Sequence, residues 1–345
     1  MMDTELLRKV GNFDQVCGIK KYTLSESFAK GVEAAEFYNQ AGLRFTVIPD
    51  RCMDIYDLSY KGVNVSFHSR NGIQSPNRYS AAAGEFSHQW QGGMLSTCGL
   101  DNVGGNCVAD GVTYPVHGRV SAVPAENFGT YAEWRDNDFV IGANGEIHQK
   151  RMYGSHLVIR RNIETSINAG SLKINDMITN LDCTDEPFML LYHINFGYPL
   201  LDECCRVFTT KAGMSSLVSL VGDPSQMTVP IDRRGEELYL GQTKTDKAYA
   251  MLFNPEKELA GYVAFDTDTL PRFLEWKNMK SHDYVLALEP CNTWGTDRQT
   301  SMENGKIEIL KAFSSIKTSV EIGVIEGNGK IKDFIADKNL NAPSL

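Results

Sequence analysis

Basic charge is scarce in this chain of 345 residues: 34 Lys and Arg stand against 43 Asp and Glu, a net charge of −9. A surface of that sign repels phosphate backbones and anionic lipid, so neither nucleic acid nor a membrane surface is an expected partner. Long apolar runs are missing as well. The opening Met1 to Val10 has no apolar core of signal-peptide length, and no stretch approaches the ~18 apolar residues of a membrane helix. Cysteine is sparse: eight residues, no CxxC pair, and the adjacent Cys204-Cys205 unsuited to bonding with each other. Such thiols read as small buried side chains in a reducing cytoplasm. There is no low-complexity stretch, no Pro-rich linker and no repeat of fixed period.

What remains is alternation. Leu43 to Ile48 and Met53 to Tyr60 alternate apolar with polar residues and end at turn formers. Ser155–Thr165, Ser171–Asn180, Phe188–Asn195, Tyr249–Phe253, Gly261–Phe265, Tyr284–Leu288 and Ser319–Ile325 read as further strands. Helical signals are confined to Thr4–Val10, Ser25–Asn39 and Asn304–Leu310. The pattern predicts an all-β, large antiparallel sandwich and not βαβ units. We divide the chain into an N-terminal segment (1–40) packing on the sandwich, the sandwich itself (41–330) and a polar C-terminal tail (331–345). Residues 68–118 stand apart, Gly-rich and carrying His68, His88, Trp90 and His117; a loop region of that length is usually functional.

Three segments bring titratable groups to the ends of apolar runs: Tyr114 to Arg119, carrying His117; Leu190 to Pro199, carrying His193; and Tyr284 to Asn292, carrying Glu289. Singly, each His is more readily a core or surface histidine than a catalyst, and a Glu after a strand is usually solvated. Aromatics near them (Trp90, Tyr192, Phe196, Trp294) suit a sugar's apolar face, though core packing is the commoner role. Arg51, Arg119, Lys277 and Arg298 suit an anionic substituent of the ligand, or structural ion pairs.

Taken together, these segments resemble the aldose 1-epimerase, or galactose mutarotase-like, superfamily, and in particular a divergent branch known only as a domain of unknown function. The resemblance runs from roughly 40 to 325. It is carried by Asp50-Arg51-Cys52-Met53-Asp54-Ile55 (an R-G-M-D-I signature with Cys52 in place of Gly) and by Gln91 to Leu100 (G-G-[LM]-L-x-T-C-G-L). His117-Gly118-Arg119, the His193 and Glu289 segments, and Leu270 to Lys277 (L-P-x-x-x-x-W-K) complete it.

The resemblance implies a galactose mutarotase-like supersandwich that interconverts anomers of a free aldose or acidic sugar. It implies Glu289 as base, His193 as acid and His117 as a second sugar-contacting histidine. Arg51, Arg119, Asn195, Trp90, Lys277 and Trp294 are the expected substrate contacts. Cys291 stands where mutarotases have Gln, which removes one hydroxyl contact. No cofactor and no metal are expected, and the reading leaves room for a homodimer. Two alternatives stay open. His117, His193 and Glu289 also make a ligand set for a metal-assisted sugar isomerase or epimerase, and the same groups suit a non-catalytic sugar-binding protein. A lyase with a long open groove is a weaker option.

Overall fold

Alternate side chains of a strand face opposite sides of its sheet, so a strand buried on both sides must be covered twice. In this computed structural model, which describes residues 4–210, 213–242 and 245–345, the strand Glu186–Phe196 is such a strand, buried from Phe188 onward. It pairs antiparallel with Leu95–Leu100 on one side and with Asp283–Cys291 on the other. Beyond Asp283–Cys291 come Arg272–Lys280, Glu237–Gln242 and Met214–Ser216, and Glu308–Leu310 pairs with the start of Glu186–Phe196, making a seven-stranded sheet.

Its even-numbered residues, Leu190, Tyr192, Ile194 and Phe196, enter the main core. There they meet Ile159, Ile163, Ile174 and Ile178 from a nine-stranded sheet that runs from Leu340–Asn341 to Glu126–Arg135. A five-stranded sheet at the N-terminal end (Gly18–Thr23, Glu33–Tyr38, Leu43–Ile48, Asp54–Tyr60, Val63–Asn64) adds Phe37, Phe45, Val47 and Ile55 to the same core. The protein is thus an all-β antiparallel sandwich. Among the described residues no helix is long and apolar enough to cross a membrane.

Beneath the apolar packing lies a charged constellation centred on Arg161. Arg161 is fully buried and holds Asp176 through Nε and Nη2 at 3.0 and 2.7 Å. Its Nη1 donates to the Cys52 carbonyl, to Thr97 Oγ1 and to Asp54. Asp54 also accepts from the Thr97 amide and hydroxyl, and Tyr192 donates to Asp176 at 2.6 Å. Asp54 and Thr97 belong to the two signature stretches, so those motifs knit the N-terminal sheet to the sandwich.

Four local expectations fail. Ser25–Asn39 is not helical: a single turn at Ser27–Ala29 precedes the strand Glu33–Tyr38, because Ala34, Ala35 and Phe37 are required in the core. That strand pairs with Leu43–Ile48, so residue 40 lies in the turn that joins two paired strands of one sheet. The third helix is Arg298–Glu303, started by the Asp297 side chain on the Thr300 amide, while Glu308–Leu310 is a strand. The C-terminal residues are no free tail: the helix Asn328–Asp337 buries Ile331, and Leu340 pairs with Thr210.

Candidate active site

The odd-numbered residues of Glu186–Phe196 face away from the main core. Met189 and Leu191 join Cys98, Val103, Leu240, Leu274 and Cys291 in a smaller apolar cluster, and His193 follows on the same side. The register that pairs Leu191 with Cys291 and Ile194 with Leu288 sets His193 opposite Glu289. Leu274 pairs with Glu289 from the next strand and Ser96 with His193 from the other side. A separation of 96 residues in sequence becomes one cross-strand row. The ladder is interrupted at Tyr192–His193, opposite Glu289–Pro290, where Pro290 has no N–H to donate.

His193 and Glu289 are both buried, with Nε2 and Oε1 3.1 Å apart. Asn195 fixes the ring: its Nδ2 is committed to the Gly93 and His193 carbonyls, so its Oδ1 faces His193 Nδ1 at 2.6 Å. This pattern assigns the proton to Nδ1 and leaves Nε2 with a lone pair toward Glu289. Glu289 Oε1 has no aligned hydrogen-bond partner, nor does the buried Nε1 of Trp90. Burial pushes the Glu289 carboxyl well above the usual carboxylate range. It pulls His193 down to about 3, with neighbouring His117 adding to the shift and the Asn195 bond opposing it. Burial thus favours the neutral form of each group: a carboxylic acid beside an imidazole.

His117 arrives from the loop. It sits in the left-handed region at φ 58°, followed by Gly118 at φ 75°. A side chain at Gly118 would strike the Gly99 and Asn102 carbonyls and Asp101 Oδ1, so glycine is needed there. His117 donates its amide to Gly104 O, accepts from the Gly99 amide, and takes the Gly104 amide on Nδ1 at 3.4 Å. Its Nε2 then carries the proton and faces the site as a donor. Burial alone lowers its pKa to about 4.

These groups open onto a cavity of about 380 Å³, in the range of small-molecule pockets. Phe86, Trp90 and Trp276 wall it; the rings of Trp90 and Trp276 lie 5.4 and 5.5 Å from that of His193, and the His117 ring lies 5.6 Å from it. Trp276 Nε1 donates to exposed Glu236 at 3.0 Å.

Of the nine residues expected at the site, Glu289, His193, His117 and Trp90 line this cavity. Asn195 lies behind it and orients His193. The other four face elsewhere. Arg51 is buried against the Ser121 and Gln74 carbonyls. Lys277 points into the sandwich, where it pairs with Glu237 at 3.0 Å and donates to Asp223 O. Trp294 packs under the guanidinium of Arg272, 4.0 Å away. Arg119 pairs with Asp101 at 3.0 Å and, with Arg298, lines a separate cavity of about 230 Å³.

Tyr192 and Phe196 are core residues. His68 stacks on Tyr56 and contacts Asp57, His88 is exposed in the short helix Phe86–Gln89, and neither lines the cavity. Sequence reasoning missed Trp276, Phe86 and Glu236. Trp276 is the residue beside Lys277, one pleat away, and only the register with Leu238 reveals its face. Among the described residues, no three His, Cys, Asp or Glu side chains are grouped to hold a metal ion.

The chain belongs to the family described as a domain of unknown function, DUF4432, whose model matches residues 29–324. No curated protein matches it. Among solved structures it is similar to a proposed aldose 1-epimerase from Klebsiella pneumoniae, with a TM-score of 0.87 and 18% identity over 97% of this chain and 90% of that one. A galactose mutarotase-like protein from Clostridium acetobutylicum has a TM-score of 0.59 and 14% identity over 90% of this chain and 99% of its own. Galactose 1-epimerase from Lactobacillus acidophilus has a TM-score of 0.58 and 13% identity, with the same two coverages. At these identities the likeness establishes the fold: a galactose mutarotase-like β-sandwich.

Proposed function

We propose that this protein interconverts the anomers of a free aldose, with His193 and Glu289 as its proton-transfer pair. The observation that carries the reading is the pair itself: two buried titratable groups 3.1 Å apart, one oxygen without an aligned partner, at the wall of a ligand-sized cavity. Likeness in fold to proteins named for aldose and galactose epimerisation supports it.

Ring opening of a hemiacetal needs one proton removed from the anomeric hydroxyl and one delivered to the ring oxygen. The neutral pair does both. Nε2 of His193 takes the O1 proton, the C1–O5 bond breaks with its electrons going to O5, and Glu289 protonates O5 as the C1 carbonyl forms. The pair is then imidazolium and carboxylate. Rotation about C1–C2 presents the other carbonyl face, and reclosure returns both protons. Burial thus reverses the resting roles that the resemblance implies: Glu289 begins as the acid and His193 as the base. His117 donates Nε2–H to a sugar oxygen. Positioned acid–base groups contribute ~10²–10⁴-fold, adequate for a reaction that already proceeds slowly in water.

The test is anomer exchange of free aldoses followed by proton NMR with wild-type protein and Glu289→Gln. Acceleration by wild type that disappears in the variant and persists with chelator is the expected result. A new isomer in place of exchanged anomers, or activity abolished by chelator, overturns the reading in favour of metal-assisted isomerisation. Sugar binding without exchange overturns it in favour of a binding protein.

A further inference from the structure

The cavity is lined by fifteen residues, and eleven of them are apolar or glycine. The other four are His117, His193, Glu289 and the exposed Glu236, whose carboxylate is already engaged by Trp276. No Arg, Lys, Asn, Gln, Ser or Thr is among the fifteen. Cys291, beside Glu289 on the same strand, turns its thiol to the Thr293 carbonyl, and the Asn292 side chain is committed to Leu190 N and Phe188 O. Nothing on this strand past Glu289 therefore offers a partner to a ligand hydroxyl.

A fully hydroxylated pyranose would bury several hydroxyls against Leu191, Leu238, Leu274 and Val103. Each such group without a partner weakens binding by about tenfold to a hundredfold. Beyond the proton-transfer pair, the uncommitted donors on lining side chains are His117 Nε2–H and Trp90 Nε1–H, the latter a buried atom. Indole faces at Trp90 and Trp276 suit C–H surface. An acidic sugar fares worse still, since the ionisable group at the rim is a carboxylate and the guanidinium and ammonium groups expected to receive an anion are bound elsewhere.

We infer that the ligand is a neutral 6-deoxy aldose: a sugar carrying a methyl group where common aldohexoses carry the C6 hydroxymethyl. The substrate class rests on the mutarotase reading only in placing C1 at the His193–Glu289 pair; the preference for a deoxygenated flank follows from the wall.

The experiment compares 6-deoxygalactose with galactose, 6-deoxyglucose with glucose, and glucuronic acid, each in both enantiomeric series. Anomer exchange is read by NMR, and binding by quenching of tryptophan fluorescence in the same wild-type protein. The expected result is a preference of about tenfold to a hundredfold for each deoxy sugar over its hydroxylated partner, in kcat/KM and in affinity, with glucuronic acid bound weakest. If deoxy sugars bind tighter but no anomer exchanges, the ligand class stands and the mutarotase reading falls. Exchange equally fast for both members of each pair, or fastest for glucuronic acid, overturns the ligand class and leaves the mutarotase reading. Failure of every sugar in both readouts overturns it as well.

Discussion

The buried polar clusters around Arg161 and around His193 are built on opposite rules. Around Arg161, every buried side-chain donor and acceptor finds a partner: Asp176, Asp54, Thr97, Tyr192 and the Cys52 carbonyl close on one another. Around His193, Glu289 Oε1 has only the unaligned Nε2 of His193 at 3.1 Å, and Trp90 Nε1 has no partner. Buried polar atoms without partners cost stability. A fold tolerates that cost where a ligand supplies the missing bonds. Saturation marks the first cluster as a fastener, and the deficit at the wall of the cavity is what our proposal reads as a site, although the signature motifs of the sequence contribute to both.

The two clusters should therefore separate under mutation. Glu289→Gln is expected to lower anomer exchange by about 10²–10⁴-fold while leaving the thermal midpoint unchanged or raised; calorimetry and NMR exchange on one preparation check both halves. Asp176→Ala does the reverse. Leaving Arg161 buried without its main partner should cost about 3–5 kcal/mol in urea unfolding, with kcat of the folded fraction close to wild type.

Asn195→Leu attacks the site from behind. It frees the His193 ring to adopt the other tautomer and should lower kcat roughly tenfold to a hundredfold, as loss of an outer partner does for oriented histidines elsewhere. KM should hardly move, because Asn195 lies outside the cavity wall.

A further effect is in the pH dependence of stability. A carboxyl whose folded pKa is raised contributes stability below its unfolded pKa and loses it as pH climbs through the folded value. Above the ordinary carboxylate pKa of 4.5, wild type should thus lose stability relative to Glu289→Gln as pH rises. The slope is about 1.4 kcal/mol per pH unit while Glu289 keeps its proton. Parallel curves for the two proteins would remove the neutral carboxyl from the account.

Much of the fold was legible because alternation is a direct trace of layering: the strands near 43–48, 171–180 and 188–195 appear where periodicity places them. Glu33–Tyr38 was hidden because Ala and Glu favour helices locally, and the demand for Ala35 and Phe37 in the core overrides that preference. Cys52 is instructive in another way. Its left-handed φ of 58° explains why glycine is usual at that place in the signature.

At the site, His117, His193 and Glu289 were reachable through family resemblance, since their partnership spans strands that no local pattern links. Arg51, Arg119 and Lys277 were misplaced because charge suggests a ligand, while only tertiary packing shows that each already has partners. Trp276 was lost to parity: on a pleated strand one residue decides between cavity and core, and sequence alone does not say which face is which.

The central claim, that His193 and Glu289 rest as a neutral pair with the imidazole proton on Nδ1, is tested most directly by nitrogen-15 NMR of the histidine side chains, with His193 assigned by its loss in His193→Gln. The account predicts one protonated and one bare ring nitrogen at neutral pH, unchanged on acidification until about pH 3. A doubly protonated His193 at neutral pH, titrating in the ordinary histidine range, would contradict it.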